Sequence, residues 1–311
     1  STSRTTAPSG SITVCSSDCD YTTVQDAVDS LDTSSSDAQV IFIYSGTYTE
    51  QVTIPELSGS LTIYGETEDT SDYTSNVVSI EHSSSLASGA ADDEHTGTVI
   101  IEAENVAVYN IDIKNTYGEG SQAIALSAYN TNQGYYGVGL YGYQDTLLAE
   151  TGNQIYANCY IEGAVDFIFG QDARIWVVGS TIASIGAGAI TANGRDSDDN
   201  VSYYVITDST VQAGSTDPGE GTVYLGRPWG AYARVAFQST SLSDIINSAG
   251  WEEWSSSEPN TSDVTFEEYD NTGDGATQSD LASFATTMTS ALTIDTILGS
   301  DYADWVDADY I

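Results

Sequence analysis

The segment GAVDFIFG, residues 163 to 170, sets one carboxylate, Asp166, among glycines, aliphatics and two phenylalanines. An isolated carboxylate beside that much apolar surface protonates unless something offsets its lost hydration. A second acid, Asp145 of LYGYQDTL, lies 21 residues earlier, and Gly142 precedes Gly163 by the same 21. Gln122 precedes Gln144 by 22. If one such spacing is one coil of a stacked structure, Asp145 and Asp166 occupy equivalent places about 4.8 Å apart, and Gln122 lies one coil earlier on the same face. Two carboxyls that close do not both ionise comfortably, so one holds a proton and the other stays anionic. The anion then needs a cation. The chain has five Arg and one Lys, and Arg227 in YLGRPWG is the one framed by Gly, Pro and Trp.

The elements that must position these groups are short and β-rich. From residue 39 the runs QVIFIYSG, SLTIYG, GTVIIEAENVAVYNIDIKN, QAIALSA, GVGLYGYQDTL, RIWVVGSTIAS, SYYVITDSTVQ and RVAFQSTSLSD alternate with Gly, Asn, Asp and Ser. No helical periodicity between residues 96 and 240 is long enough to supply the crossovers of a wound α/β sheet. The later runs share a polar, small, aliphatic rhythm at about 30 residues, which points to a solenoid and to the coils of a parallel β-helix. One early helix is expected in YTTVQDAVDSL, with Thr23 as its cap answered by Asp26. A further helix is expected over residues 277 to 292.

Composition bounds the rest. The 311 residues carry 6 Lys plus Arg against 46 Asp plus Glu, a formal charge of −40, which disfavours nucleic acid and anionic membranes as partners. Disorder is disfavoured by 40% apolar residues, 21 Tyr and 5 Trp. No run is long enough to span a bilayer, and the start reads as that of a mature chain. Cys15 and Cys19, four apart, can close a small disulfide with Cys159 left as a buried thiol, and no Cys/His cluster supports structural zinc. The sequons at Asn200 and Asn260 fit a secretory route. Secretion and an extracellular location are expected.

Five segments in order, GTYTE (46 to 50), QAIAL (122 to 126), GYQDTL (142 to 147), GAVDFIFG (163 to 170) and LGRPW (225 to 229), resemble the signature of the pectin methylesterases, carbohydrate esterases of plant-wall pectin. The resemblance covers nearly the whole chain, and the low Lys content is most similar to fungal secreted members. It implies an all-β fold, a right-handed single-stranded parallel β-helix. One domain over residues 1–311 is expected, with an N-terminal cap to about residue 38 and an irregular or helical tail from about 270. It implies Asp166 as nucleophile, Asp145 as acid then base, Gln122 and Gln144 as oxyanion donors, and Arg227 as the cation beside Asp166. Trp229 and Phe169, with Val165 beside them, are implied as walls of the sugar cleft. Methylated pectin and water are the implied partners of a monomer, with no metal or cofactor. Leu148 departs from the Tyr that many members carry after YQDTL, so that sugar contact is lost or supplied elsewhere.

Other readings stand beside these. A buried Asp can cap a turn, stacked amides are routine in solenoids, and aromatics are more often core than platform. Tyr48 and Glu50 read as structural. His82 and His95 are placed in loops, and no GxSxG elbow supports a serine hydrolase. The alternatives by class are another pectin-active β-helix enzyme, a polygalacturonase or lyase, and a non-catalytic wall-binding solenoid.

Overall fold

The computed structural model describes residues 2–311. Among them the chain winds into a right-handed parallel β-helix of three sheets with eleven, eight and seven strands. A coil at the centre runs through strands Gln133–Tyr136, Gly139–Tyr141 and Leu147–Ala149, and the next through Thr151–Ala157, Tyr160–Gly163 and Ile168–Gly170. Gln133 pairs with Gln154, Gly139 with Tyr160 and Leu147 with Ile168, which is the 21-residue step. The next coils lengthen: Thr181 pairs with Thr210 and Tyr204 with Val235. Loop insertions therefore hide the period without disturbing the register.

Single residues make the corners. Asn110, Asn158, Asp208, Ser239 and Asp270 follow their strands with φ between 47° and 54°, a left-handed conformation that Asn and Asp tolerate better than most residues. A one-residue corner leaves no Gly/Pro cluster in the sequence. Runs such as GVGLYGYQDTL therefore read as one strand although they hold a strand, a bend and a strand. QAIALSA contributes only Leu126–Ala128 to a sheet.

The interior is a continuous apolar column from Val14 to Phe266. Stacked Tyr135 and Tyr156, centroids 4.9 Å apart, donate to the buried Gln133 and Gln154 at 2.8 and 2.7 Å. The helix Val24–Asp29 closes the N-terminal end, its Thr23 side chain accepting from Asp26 N. Glu50 adds a second cap, accepting from Val24 N at 2.9 Å and Gln25 N at 2.8 Å. Tyr48 is buried and donates to Tyr44 O at 2.8 Å, so GTYTE is structural as expected.

Two expectations change. Residues 277 to 292 form no helix: Ala285–Thr287 joins the large sheet beside Thr265–Tyr269, and the helix comes later, at Ile294–Leu298. The Thr- and Ser-rich stretch has weak helix propensity, and an open sheet edge takes it. His82 is the last residue of strand Val78–His82, whereas His95 sits in the 3-10 turn Glu94–Thr96. Elsewhere, Cys15 and Cys19 are bridged and Cys159 is a buried thiol. The tail packs Ile297, Leu298 and Val306 on the outside of the large sheet against Tyr136, Ile155, Trp176 and Val205. No helix among the described residues is long and apolar enough to cross a membrane.

Candidate active site

The two acids occupy matching corners between the eight- and seven-stranded sheets. Asp145 lies between Gly139–Tyr141 and Leu147–Ala149, Asp166 between Tyr160–Gly163 and Ile168–Gly170, with φ of 66° and 50°. The αL corner lifts each carboxyl off the strand path, and the backbone is held by the next coil: Asp145 N donates to Val165 O at 3.0 Å and Asp166 N to Ala189 O at 2.8 Å. The paired glycines are explained here too. A Cβ at Gly142 would lie 2.7 Å from Thr146 Oγ1, and one at Gly163 would collide with Phe167.

Arg227 follows strand Val223–Gly226 and reaches back to Asp166. Its Nε donates to Oδ1 at 2.8 Å and its Nη2 to Oδ2 at 2.7 Å, a two-bonded fork on a carboxylate whose side chain is 9% exposed. The guanidinium lies 4.1 Å over the Trp254 ring and donates to Trp254 O at 3.3 Å. Burial raises the Asp145 carboxyl well above the carboxylate range, with Asp93 and then Asp166 adding to the shift and Arg227 opposing it. The site thus holds one carboxylate paired with a guanidinium and one carboxyl whose surroundings favour its neutral form.

Gln122 and Gln144 stand on adjacent coils, joined by Ala123 N to Gln144 O at 3.2 Å. Both are half-buried, and their amide N–H groups have no protein acceptor among the described residues; Gln122 Oε1 accepts only from Ser121 Oγ at 3.4 Å. Val165 pairs with Gln144 across the coils. Trp229 is 38% exposed, lies against Gly194, where a Cβ would come within 2.7 Å of its ring, and has its carbonyl bonded by Asn260 Nδ2 at 3.3 Å. Phe169 is only 5% exposed and packs with Ile124, Leu148 and Ala192, its ring centroid 6.1 Å from that of Trp229. Tyr129 and Trp254 flank the same cluster, so aromatic surface adjoins Leu148.

The sequence reading missed Asp93, whose carboxyl is hydrogen-bonded to Asp145, and Trp254 beneath Arg227. It also missed Glu150, which burial pushes up to about 7 although Gln171 N donates to it at 2.9 Å. Asp93 and Trp254 come from loops outside the repeat, which spacing cannot place. The doublet WEEW was the one visible hint at Trp254.

A solenoid that stacks a forked carboxylate, a carboxyl raised by burial and two unpaired amides has the groups that acyl transfer uses, the pattern of an ester hydrolase built on a β-helix. The Pectinesterase family profile matches residues 11–296. A pectinesterase of Aspergillus niger is 55% identical over 99% of this chain and 94% of its own length, and one of Aspergillus aculeatus is equally identical over the same shares. The crystal structure of the pectin methylesterase from Aspergillus niger in deglycosylated form superposes with a TM-score of 0.93 at 44% identity, over 99% of this chain and all of that one. The chain belongs to the pectinesterase family. It is a carboxylic ester hydrolase that demethylesterifies pectin.

Proposed function

We propose that Asp166 is the nucleophile in removal of the methyl ester from the C6 carboxyl of galacturonate units in methylated pectin. Its Oδ attacks the ester carbonyl, and the tetrahedral oxyanion is received by the amide N–H groups of Gln122 and Gln144. Asp145 gives its proton to the departing methoxide, releasing methanol, and then takes a proton from the water that hydrolyses the acyl-enzyme. Arg227 holds Asp166 as an oriented carboxylate through its two bonds. Trp229 offers the exposed face for a sugar ring, Phe169 backs it from the buried side, and Val165 borders the reacting centre. No metal or cofactor enters these steps.

The observation that carries this reading is the contrast between two stacked acids, one forked by Arg227 and one buried without a cation, its carboxyl raised well above the carboxylate range by that burial. Environments that drive two carboxyls apart assign the acid and the nucleophile. The continuous apolar column supports one domain, and the sequons and the disulfide support a secreted, extracellular enzyme. Asp166→Asn is expected to abolish methanol release from methylated pectin while the protein still folds, with a lowered melting temperature because the fork to Arg227 is broken, and still binds pectin. Turnover at the wild-type rate would overturn the assignment.

A further inference from the structure

Asp93 lies in a turn outside the repeat, yet the turn is tied to the coil that carries Gln122. Thr96 Oγ1 accepts from Ile124 N at 2.9 Å, Thr98 N donates to Ile124 O at 3.2 Å, and Asn115 Nδ2 donates to Thr96 O and Ile124 O at 3.1 and 2.9 Å. Thr96 in turn donates through N and Oγ1 to Asp93 O at 3.0 and 2.7 Å. Asp93 is thereby fixed against the floor of the cleft. Its carboxyl meets that of Asp145 in a hydrogen bond, and its Oδ1 is buried with no N–H or O–H partner among the described residues.

Two carboxyl groups form such a bond only when one of them carries a proton. Asp145 is the more buried of the two and faces Asp166 as well, so the neutral form belongs there. We propose that Asp93 is a positioning residue for the acid of this site: its carboxylate accepts the hydrogen bond of the Asp145 carboxyl and holds it beside Asp166. The inference rests on the roles proposed above for Asp145 and Asp166.

The arrangement serves both half-reactions. When the bond from the acyl carbon to the methoxy oxygen breaks, the Asp145 proton moves to that oxygen and leaves Asp145 an anion against the Asp93 carboxylate. Their repulsion makes Asp145 a stronger base. In the second half a water proton goes to Asp145, the water oxygen bonds to the acyl carbon, and Asp166 departs as carboxylate, restoring the starting proton count. The other charged groups around the pair are Asp92, Glu94 and His95 on its own turn, with Asp92 bonded to His95 Nδ1 at 2.6 Å. From the neighbouring coils come Asp166 and Arg227, with Glu252 beyond them. Of these, Asp93 is the group in direct hydrogen bond with Asp145.

The test is kcat and kcat/KM for methanol release across pH in Asp93→Asn, Asp93→Glu and Asp145→Asn. Asp145 must be protonated for the first half-reaction, so its alkaline limb marks loss of that proton. Asp93→Asn replaces an acceptor by an amide that stabilises the Asp145 anion, and the limb is expected to move to lower pH by a unit or more. The same variant is expected to lose about 10- to 100-fold in kcat with KM nearly unchanged, part of what acid–base catalysis contributes. Asp93→Glu restores part of the limb. In the wild-type protein, a protonated-carboxyl infrared band that is missing from Asp145→Asn is expected to persist above neutral pH, a reading that needs no folded Asp93 variant. An Asp93→Asn profile superimposable on wild type, or absence of that band, overturns the inference. Full activity in Asp145→Asn instead overturns the acid role on which it rests.

Discussion

Replacing Arg227 by Lys separates the charge beside the nucleophile from the geometry that holds it. The guanidinium makes two bonds to Asp166, at 2.8 and 2.7 Å, whereas an ammonium is a point charge that keeps one of them and leaves the other oxygen free to rotate. A hydrogen bond to a charged group is worth about 1.5–3 kcal/mol, and 1.36 kcal/mol is tenfold in rate. If the lost bond is what orients the attacking oxygen, kcat falls by about 10- to 150-fold. Arg227→Ala removes the charge as well and strands a carboxylate whose side chain is 9% exposed, so it also costs stability. The usual figure for breaking a buried pair is about 3–5 kcal/mol, and the 26% exposure of Arg227 places this pair toward or below the lower end. Methanol release at fixed pH, with a thermal melt of each variant, measures both. The expected order is wild type, then Lys, then Ala, in turnover as in melting temperature. Arg227→Lys with wild-type kcat would refute the argument that the fork, rather than the charge, prepares the nucleophile.

Gln122→Ala and Gln144→Ala are each expected to lower kcat by roughly 10²- to 10³-fold, the effect of removing one oxyanion donor; a change confined to KM would mean that the amides only seat the substrate. Glu50→Ala removes both carboxylate acceptors from the first turn of the N-terminal helix and is expected to cost about 1–3 kcal/mol in denaturant unfolding, with kcat unchanged. An unaltered midpoint would show that the Thr23 cap suffices. Each ester cleaved leaves a galacturonate anion before a chain of net charge −40, so activity is expected to fall as methylation falls, and moderate salt to relieve product inhibition by screening over about 8–10 Å. Long demethylated blocks made at low salt, read by NMR, would show that contacts in the cleft outweigh the global field.

Much of the fold was legible because one coil step happens to be minimal. Between Gln133 and Gln154 and between Leu147 and Ile168 the chain spends 21 residues per turn with no insertion, so Gly142 and Gly163, and the two acids, repeat visibly. The acids fall in that window because their corner is made by the Asp itself, at positive φ. Arg227 was legible from scarcity, being one of six basic residues and the one beside Pro and Trp. What the sequence concealed belongs to the loops. Asp93 reaches Asp145 through a turn whose anchors, Thr96, Asn115 and Ile124, are spread along the chain and share no period. The misplaced C-terminal helix has a related cause, since residues 277 to 292 answer to an open sheet edge made by Thr265–Tyr269 rather than to their own pattern.

The six cations show how a strongly acidic chain can still build this site. Arg195 donates to Asn200 O at 2.6 Å and Asp198 O at 2.7 Å, and Arg174 and Arg234 both donate to Val201 O. Arg4 lies 4.4 Å over the Tyr64 ring, and Lys114 lies 4.8 Å over that of Tyr141 with Glu81 at 3.9 Å. Five of the six are thus occupied with main-chain carbonyls, ring faces or a distant carboxylate, which leaves Arg227 alone in forking an acid. Around Asp166 the other titratable neighbours are acids: Asp145, Asp93 and Glu252 each carry a carboxyl that burial drives toward its neutral form. A second cation there would compete for Asp166 or ionise Asp145 and remove the proton that methoxide must receive. With one guanidinium and several crowded carboxyls, the charge settles on Asp166, where the bonds are best, and the proton settles on Asp145, the more buried acid that the guanidinium does not bond. Scarcity of positive charge therefore sets the division of labour between the two aspartates.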